Sequence, residues 1–179
     1  LDEEEYKLWY KGEYKQKNLH EESVYSIPEL DRAKLKGVKI IANPGCYPTS
    51  ASLALVPALK AGIIEHTNII IDSKSGVSGA GRGLSLDTHF PECNEAFAPY
   101  KTASHRHTPE IEQTLSRYAE EKLTLTFVPH LLPVNRGILT TAYANLINET
   151  KIADIIEIYR DFYKDEKFVR VMNNGQNAN

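Results

Sequence analysis

The sequence is poor in the features that mark several classes of protein. Its 179 residues contain two cysteines, one methionine and one tryptophan. Basic residues (21) nearly balance acidic ones (24) and form no block, so a nucleic-acid partner is not indicated. The longest apolar run, around residues 51–59, is too short to span a bilayer, and the acidic start LDEEEYK does not resemble a secretory signal. We therefore expect neither a nucleic-acid nor a membrane partner.

The two cysteines, Cys46 and Cys93, could in principle form a disulfide. The chain shows no disulfide framework, however, and nothing marks it as secreted. We interpret both residues as free thiols in a reducing compartment, and we expect the protein to be cytoplasmic.

The composition, 41% hydrophobic and 25% charged, allows one domain with a substantial core. The sequence lacks an initiator methionine and ends in the polar string NNGQNAN, so we expect a piece of a longer protein. Residues 1–20 are expected to form an arm or a short helix, and residues 173–179 a flexible tail. Residues 1–179 would then be a single catalytic and dimerisation domain.

Hydrophobic patterning predicts an α+β fold, a two-layer arrangement rather than a doubly wound parallel sheet. Strands are predicted at residues 38–42, 68–72, 96–100, 123–128, 137–147 and 168–172, and helices at residues 49–60, 108–121 and 151–163. Pro57 predicts a kink or an early end of the first of these helices, and Thr108 is the expected N-cap of the second.

Cys46 lies in the stretch NPGCYPT, between a predicted strand and a predicted helix. Unpaired amide groups and the positive end of the helix dipole meet at such a position. Both stabilise a thiolate, which is the nucleophilic form of cysteine. An inert cysteine buried at a turn is the alternative, but the Pro-Gly-Cys corner favours a nucleophile.

A thiol nucleophile needs a proton partner, and the chain has six histidines. The stretch His105-Arg106-His107 places two imidazoles and a guanidinium just before a predicted helix, where an anion could bind. His107 could accept the thiol proton. A solvated polar loop is the alternative, and His130 could be a hydrogen-bonded core residue.

The stretch from Ser75 to Arg82 contains three glycines that would let a ligand approach the backbone. Its spacing matches neither a Walker loop nor the dinucleotide fingerprint, and a flexible surface loop is the alternative. Metal binding is not expected, because no carboxylate or cysteine accompanies the histidines at a suitable spacing.

Four motifs now stand in order along the chain: NPGCYPT, SKSGVSGAGR, HRHTPEI and PHLLPVNRGILTT. Together they resemble the N-acetyl-gamma-glutamyl-phosphate reductases of arginine biosynthesis. The resemblance runs from about VYSIPEL to FVRV, and it implies that the NADP-binding Rossmann domain of that family is absent here. It also implies a mixed, largely antiparallel sheet with helices on one face, similar to the catalytic domain of glyceraldehyde-3-phosphate dehydrogenase.

The resemblance implies the chemistry as well. Cys46 would attack the acyl phosphate of N-acetylglutamyl phosphate, NADPH would reduce the resulting thioester to the semialdehyde, and His107 would be the acid–base residue. Expected substrate contacts are Asn43, Ser75, Arg82, His105 and Arg106, and expected cofactor contacts are Gly76, Ser78 and Gly79. A homodimer or homotetramer is expected, and the chain alone is expected to be inactive with NADPH.

Three other functions fit the same residues. A sister acyl-phosphate reductase of lysine biosynthesis, acting on an aminoadipyl carrier protein, would share the chemistry. A thiol acyl-phosphatase or acyltransferase would keep the cysteine and histidine without a redox step. A non-catalytic dimerisation module would use neither.

Overall fold

The computed structural model describes residues 1–176 as seven helices and six strands with short 3-10 turns between them. The helices are α1 (Glu3–Tyr10), α2 (Lys17–Glu22), α3 (Pro28–Asp31), α4 (Cys46–Lys60), α5 (Phe90–Cys93), α6 (Thr108–Ala119) and α7 (Ile152–Tyr163). The strands are β1 (Ser23–Tyr25), β2 (Ile40–Ala42), β3 (Ile69–Gly76), β4 (Ala98–Pro99), β5 (Leu125–Leu132) and β6 (Ile138–Tyr143).

The main sheet has four strands in the order β4-β5-β3-β6. Strand β3 runs parallel to β5 and antiparallel to β6, and β4 runs antiparallel to β5. The predicted mixed α+β fold, with antiparallel pairs in the majority, is therefore confirmed. Strands β1 and β2 form a separate parallel pair beside the start of α4.

The two faces of the main sheet differ in burial. Along β3, Ile69 and Ile71 are buried whereas Ile70 between them is exposed, because side chains alternate across a strand. Helix α4 packs against α6, β6 and α7, and its buried side chains join the core beneath one face. Within residues 1–176, no helix covers the other face, which we call the open face. Its outward side chains include Ile70, Asp72, Lys74, His130, Leu139 and Tyr143.

Helix α4 continues past Pro57 to Lys60, so the predicted early end is wrong. Proline has no amide hydrogen, and the carbonyl four residues earlier, that of Leu53, loses its usual helical partner. The hydroxyl of Tyr163, on α7, donates to that carbonyl oxygen at 2.7 Å. A tertiary hydrogen bond thus replaces the missing one, and the helix persists.

Other boundaries of helices and strands also differ from the predicted ones. Helix α4 begins at Cys46 rather than at residue 49, and the N-cap of α6 is His107 rather than Thr108, whose buried hydroxyl has no partner within residues 1–176. The strand predicted at residues 168–172 does not form. Phe168 is 92% exposed, and the backbone of this segment has no neighbouring strand within residues 1–176 to pair with, so its β propensity is not realised.

The two ends of the chain carry local structure as far as they are described. Residues 1–22 contain two short helices, α1 and α2, where an arm or one short helix was expected. Asn173 and Gln176 are joined by a backbone hydrogen bond in a turn, and the rest of the predicted flexible tail, residues 177–179, lies outside the described residues. Within residues 1–176, no helix is both long and apolar enough to cross a membrane.

Candidate active site

Cys46 is the first residue of α4 and is exposed. The preceding Pro44-Gly45 pair turns the chain from β2 into the helix. Pro48 has no amide hydrogen and the amide of Thr49 donates to the carbonyl of Gly45, so the helix end offers the amides of Cys46 and Tyr47. Within residues 1–176 these two amides have no hydrogen-bond partner, and they point toward a position where negative charge is favoured.

His105 is enclosed by aromatic side chains just before α6. The rings of Tyr47, Tyr100 and Phe127 lie 5.5–5.6 Å from its imidazole, all close to perpendicular. Its Nδ1 accepts the backbone amide of His107 at 3.1 Å, so in the neutral ring Nε2 carries the hydrogen. Burial lowers the pKa of His105 to about 4, with neighbouring positive groups adding to the effect. His105 is therefore a neutral N–H donor at pH 7.

His107 stands over the corner that carries Cys46. A Cβ atom placed on Gly45 would lie 2.5 Å from His107 Nε2, so the ring rests on the glycine backbone. Burial lowers the pKa of His107, while the Glu110 carboxylate, one turn along α6, opposes this change. Its Nδ1 is buried without a partner within residues 1–176. A ring of lowered pKa against the cysteine corner can accept a proton near neutral pH.

Glu110 connects three elements at this site. Its Oε1 accepts the amide of Gly45 at 2.9 Å and the hydroxyl of Tyr25 at 3.0 Å. Thr114, one turn further along α6, donates to the same tyrosine hydroxyl. The carboxylate thus ties the cysteine corner and strand β1 to the helix that follows His107.

Cys46, His105 and His107 line one cavity of about 550 Å³. It brings together most of the site residues predicted from sequence, namely Cys46, Ser75, Gly76, Ser78, Gly79, His105, Arg106 and His107. The guanidinium of Arg106 is also held 5.7 Å from the ring centre of Tyr10. Two predicted residues do not line the cavity: Asn43 faces a neighbouring cleft and Arg82 is exposed.

The glycine stretch from Ser75 to Arg82 was predicted to offer its backbone to a ligand, but three of its amides are bonded within the chain. The amides of Gly76, Val77 and Ser78 donate to carbonyls of the turn between β5 and β6, so they are not free for a ligand. A Cβ on Gly76 would lie 2.7 Å from the backbone nitrogen of Arg136, which explains that glycine by packing. Gly79 has no atom within 4 Å at the corresponding position and leaves room beside the cavity.

Sequence reasoning missed several residues of the site. Tyr47 and Tyr100 share a hydrogen bond between their hydroxyls at 2.8 Å and support His105 from two sides, and Lys101 also lines the cavity. Glu110 could have been found from its spacing, because a residue three positions after His107 lies on the same side of a helix. Within residues 1–176, no three His, Cys, Asp or Glu side chains are grouped as metal ligands.

The arrangement combines an exposed thiol, a proton acceptor, a neutral N–H donor and two free amides around one cavity. Such a set can capture an acyl group on sulfur, since the amides and His105 can stabilise the oxyanion that forms. Arg106 adds a fixed positive charge that suits an anionic leaving group.

Comparison with known proteins shows the family to which the chain is related. The sequence model of a family described as "Semialdehyde dehydrogenase, dimerisation domain" matches residues 46–179. A protein of Brachyspira hyodysenteriae named N-acetyl-gamma-glutamyl-phosphate reductase is 60% identical over 99% of the chain and 53% of its own length. Further relatives of that name, several from Clostridium, are 47–55% identical. The chain spans about half the length of these relatives.

Two solved structures share the fold at low sequence identity. Aspartate semialdehyde dehydrogenase II from Vibrio cholerae superposes with a TM-score of 0.59 at 16% identity, over 77% of this chain and 48% of that one. Aspartate semialdehyde dehydrogenase with NADP from Candida albicans gives a TM-score of 0.52 at 13% identity, over 78% of this chain and 45% of that one.

Proposed function

The chain belongs to the semialdehyde dehydrogenase dimerisation-domain family, and we propose that it is the catalytic half of an N-acetyl-gamma-glutamyl-phosphate reductase. The resemblance drawn from the four motifs is confirmed by relatives of that name, up to 60% identical over nearly the whole chain. The observation that carries the proposed activity is the shared cavity of Cys46, His105 and His107.

In the proposed reaction His107 takes the thiol proton of Cys46. The sulfur then attacks the acyl carbonyl of N-acetylglutamyl phosphate, the bond from that carbon to the phosphate oxygen breaks, and phosphate leaves. The product is a thioester on Cys46. The amides of Cys46 and Tyr47, with the Nε2 hydrogen of His105, would hold the oxyanion during attack. Arg106 would bind the departing phosphate.

The second half of the reaction needs a hydride donor, for which we propose NADPH. When bound, NADPH supplies the hydride that reduces the thioester carbonyl. The open space beside Gly79 leaves room for a flat nicotinamide ring to approach the cavity. The backbone amides of Gly76 and Ser78 already donate within the chain, so these two residues could contact NADPH only through their remaining atoms. His107, protonated in the first half, would return its proton as sulfur leaves and the semialdehyde forms.

We propose that the adenosine end of NADPH binds a nucleotide-binding half that the relatives' extra length would provide. The 179-residue chain should therefore capture the acyl group but show little or no turnover with NADPH. Asn43 and Arg82 stay proposed substrate contacts, and both would need the missing half or a loop movement to approach the cavity.

We also propose that the chain forms a homodimer, or a homotetramer built from dimers, through its open face. Leu139 and Tyr143 are 61% and 55% exposed there. The charges at the centre of the face are paired internally: the Lys74 ammonium lies 2.5 Å from an Asp72 oxygen, and His130 Nδ1 lies 3.1 Å from the other oxygen, although not at a hydrogen-bonding angle. Paired charges lower the cost of burying such a face. A cytoplasmic location would suit both the free thiols and this biosynthetic role.

The proposal is tested by trapping the acyl enzyme. The purified chain is mixed with N-acetylglutamyl phosphate, and intact-mass spectrometry and phosphate release are followed. We expect one acyl group per chain and one equivalent of phosphate, both lost in Cys46→Ser and both kept in the matched control Cys93→Ser. Phosphate release without an acyl adduct in any variant would instead indicate a phosphatase, and no reaction at all would contradict the catalytic assignment.

A further inference from the structure

Two of the side chains that line the catalytic cavity are positively charged, Lys101 and Arg106. The ion pairs found within residues 1–176 use other cations, such as those of Lys74 and Arg117. Asp87, the one carboxylate among the lining residues of the described chain, pairs with neither cation of the cavity. Two cations without a partner in the protein favour a ligand that carries two anionic groups.

Arg106 is held at one place in the cavity. Its guanidinium lies 5.7 Å from the centre of the Tyr10 ring, within the range of a cation–π contact. It directly precedes His107, whose ring rests on the backbone of the cysteine corner. An arginine that binds the departing phosphate there with its fork of donors leaves a second anion of the same ligand to the other cation.

Lys101 is placed one ring further from the cysteine corner. In the row of aromatic rings, the centre of His105 lies 4.8 Å from that of His107, and the centre of Tyr100 lies 5.6 Å from that of His105. Lys101 follows Tyr100 directly, and its positive charge contributes to the lowered pKa of His105. Lys101 therefore belongs to the part of the cavity beside His105, whereas Arg106 adjoins the proposed base.

The backbone of Lys101 is held in an uncommon conformation. Its φ of 47° lies in the left-handed region, as does the φ of 55° at Ala103, where residues with a Cβ are rarely found. The amide of Tyr100 donates to the carbonyl of Pro129 at 3.0 Å. The amide of Ser104 donates to the carbonyl of Lys101, also at 3.0 Å. Backbone outliers persist where the surrounding structure holds them, and they cluster at ligand-binding positions. The turn thus fixes the point from which the lysine side chain starts.

The proposed substrate carries a second anionic group that the reaction leaves unchanged. In N-acetylglutamyl phosphate, the α-carboxylate is about four carbon–carbon bonds, or roughly 5 Å, from the carbon that Cys46 would attack. This length is close to the 4.8 Å step from the ring of His107 to that of His105. A lysine ammonium on a flexible stem can meet a carboxylate at that position.

We propose that Lys101 binds the α-carboxylate of the substrate and thereby selects acyl phosphates derived from an amino acid over simple ones. The proposal rests on the proposed function and adds to it the group that recognises the unreacting end of the substrate. The carboxylate does not change during attack, so the ion pair holds the substrate and the transition state equally. Its loss should therefore raise the substrate concentration that is needed without slowing the limiting rate.

The experiment compares two substrates that differ in one group. Stopped-flow phosphate release is measured at rising concentrations of N-acetylglutamyl phosphate and of 4-acetamidobutyryl phosphate, which lacks only the α-carboxylate. Lys101→Met keeps an unbranched stem and removes the charge. We expect it to raise the half-saturating concentration of N-acetylglutamyl phosphate at least tenfold, with the limiting rate unchanged and 4-acetamidobutyryl phosphate unaffected. Lys101→Arg should restore the difference between the two substrates.

Two further variants serve as controls. Lys122→Met removes an exposed lysine outside the cavity and should change neither half-saturating concentration. Arg106→Met should raise both, because both substrates carry the phosphate. An equal effect of Lys101→Met on the two substrates would assign this lysine to the reacting end, and no effect would remove it from the site. Either result overturns the proposal and leaves the proposed function standing.

Binding to a chain that cannot be acylated separates the carboxylate site from the activity. Calorimetric titration of Cys46→Ser should give a dissociation constant at least tenfold lower for N-acetylglutamyl phosphate than for 4-acetamidobutyryl phosphate, and adding Lys101→Met should abolish the difference. If this holds while wild-type Cys46 forms no acyl adduct, the proposed activity fails and the carboxylate site stands. Equal dissociation constants for the two compounds in Cys46→Ser would overturn the carboxylate site.

Discussion

The imidazole of His107 rests directly on the backbone of Gly45, the residue before the cysteine. Any side chain at position 45 would collide with the ring, since the nearest ring atoms lie 2.5–3.0 Å from the site of a Cβ. Gly45 has a φ of −65°, so its backbone does not require glycine. The glycine of the Pro-Gly-Cys corner is thus explained by the close approach of the proposed base and not by the turn.

Gly45→Ala should therefore displace His107 while leaving the backbone angles acceptable. We expect acyl capture by Cys46 to slow about 100-fold, because a shift of about 1 Å in a catalytic group has effects of that size. Stopped-flow phosphate release measures the rate, and circular dichroism checks the fold. Gly12→Ala is the control, since a Cβ there meets only an ordinary contact of 3.7 Å. Equal rates in the two variants would contradict the role given to His107.

Two substitutions at Glu110 separate its charge from its hydrogen bonds. Glu110→Gln keeps an oxygen for the amide of Gly45 and the hydroxyl of Tyr25, but it removes the charge that raises the pKa of His107. We expect the pKa of His107 to fall further, measured by NMR titration, with stability nearly unchanged. Glu110→Ala leaves both donors without an acceptor and should reduce the free energy of unfolding by about 1–3 kcal/mol. A pKa that rises in Glu110→Gln would contradict this account.

His105 should make the fold sensitive to mild acid. In the folded chain its pKa is about 4, below the ordinary value of 6.5 that applies after unfolding. Between these values the unfolded chain binds a proton that the folded chain does not, so stability falls as the pH is lowered from about 7 to 4. We expect denaturant unfolding of His105→Gln to depend less on pH over this range than that of the wild type. Parallel pH profiles for the two proteins would argue against a neutral, enclosed His105.

Much of the fold could be predicted because the local patterns were strong. The apolar strand at Ile69–Ile71 and the amphipathic helix Ile152–Tyr163 were both found where the spacing placed them. Two errors came from tertiary contacts that no local pattern encodes. The hydroxyl of Tyr163 allows α4 to pass Pro57, and residues 168–172 lack the neighbouring strand that their sequence would need.

The site was predicted less completely than the fold, for a related reason. Cys46, His105 and His107 were predicted because cysteine and histidine are reactive residue types and stand in short, recognisable motifs. The aromatic enclosure of His105 comes from residues far apart in sequence, Tyr47, Tyr100 and Phe127, which only the fold brings together. Conversely, Gly76 was predicted to belong to a ligand-binding loop. The structure explains this glycine by packing, because a side chain there would collide with the backbone of the turn at Arg136.

The two thiols should differ strongly in reactivity toward iodoacetamide. Cys46 is exposed at the first residue of α4, where a reagent can reach the sulfur. Cys93 is less exposed, and its sulfur is held 3.7 Å from the carbonyl oxygen of Thr88 and 3.8 Å from that of Phe90, contacts that hinder the approach of a reagent. We expect Cys46 to be labelled at least tenfold faster at pH 7, as measured by peptide mass spectrometry. The two rates should become equal in denaturant, because the difference depends on the fold; a difference that persists there, or equal rates in the native chain, would show that the fold does not favour the labelling of Cys46.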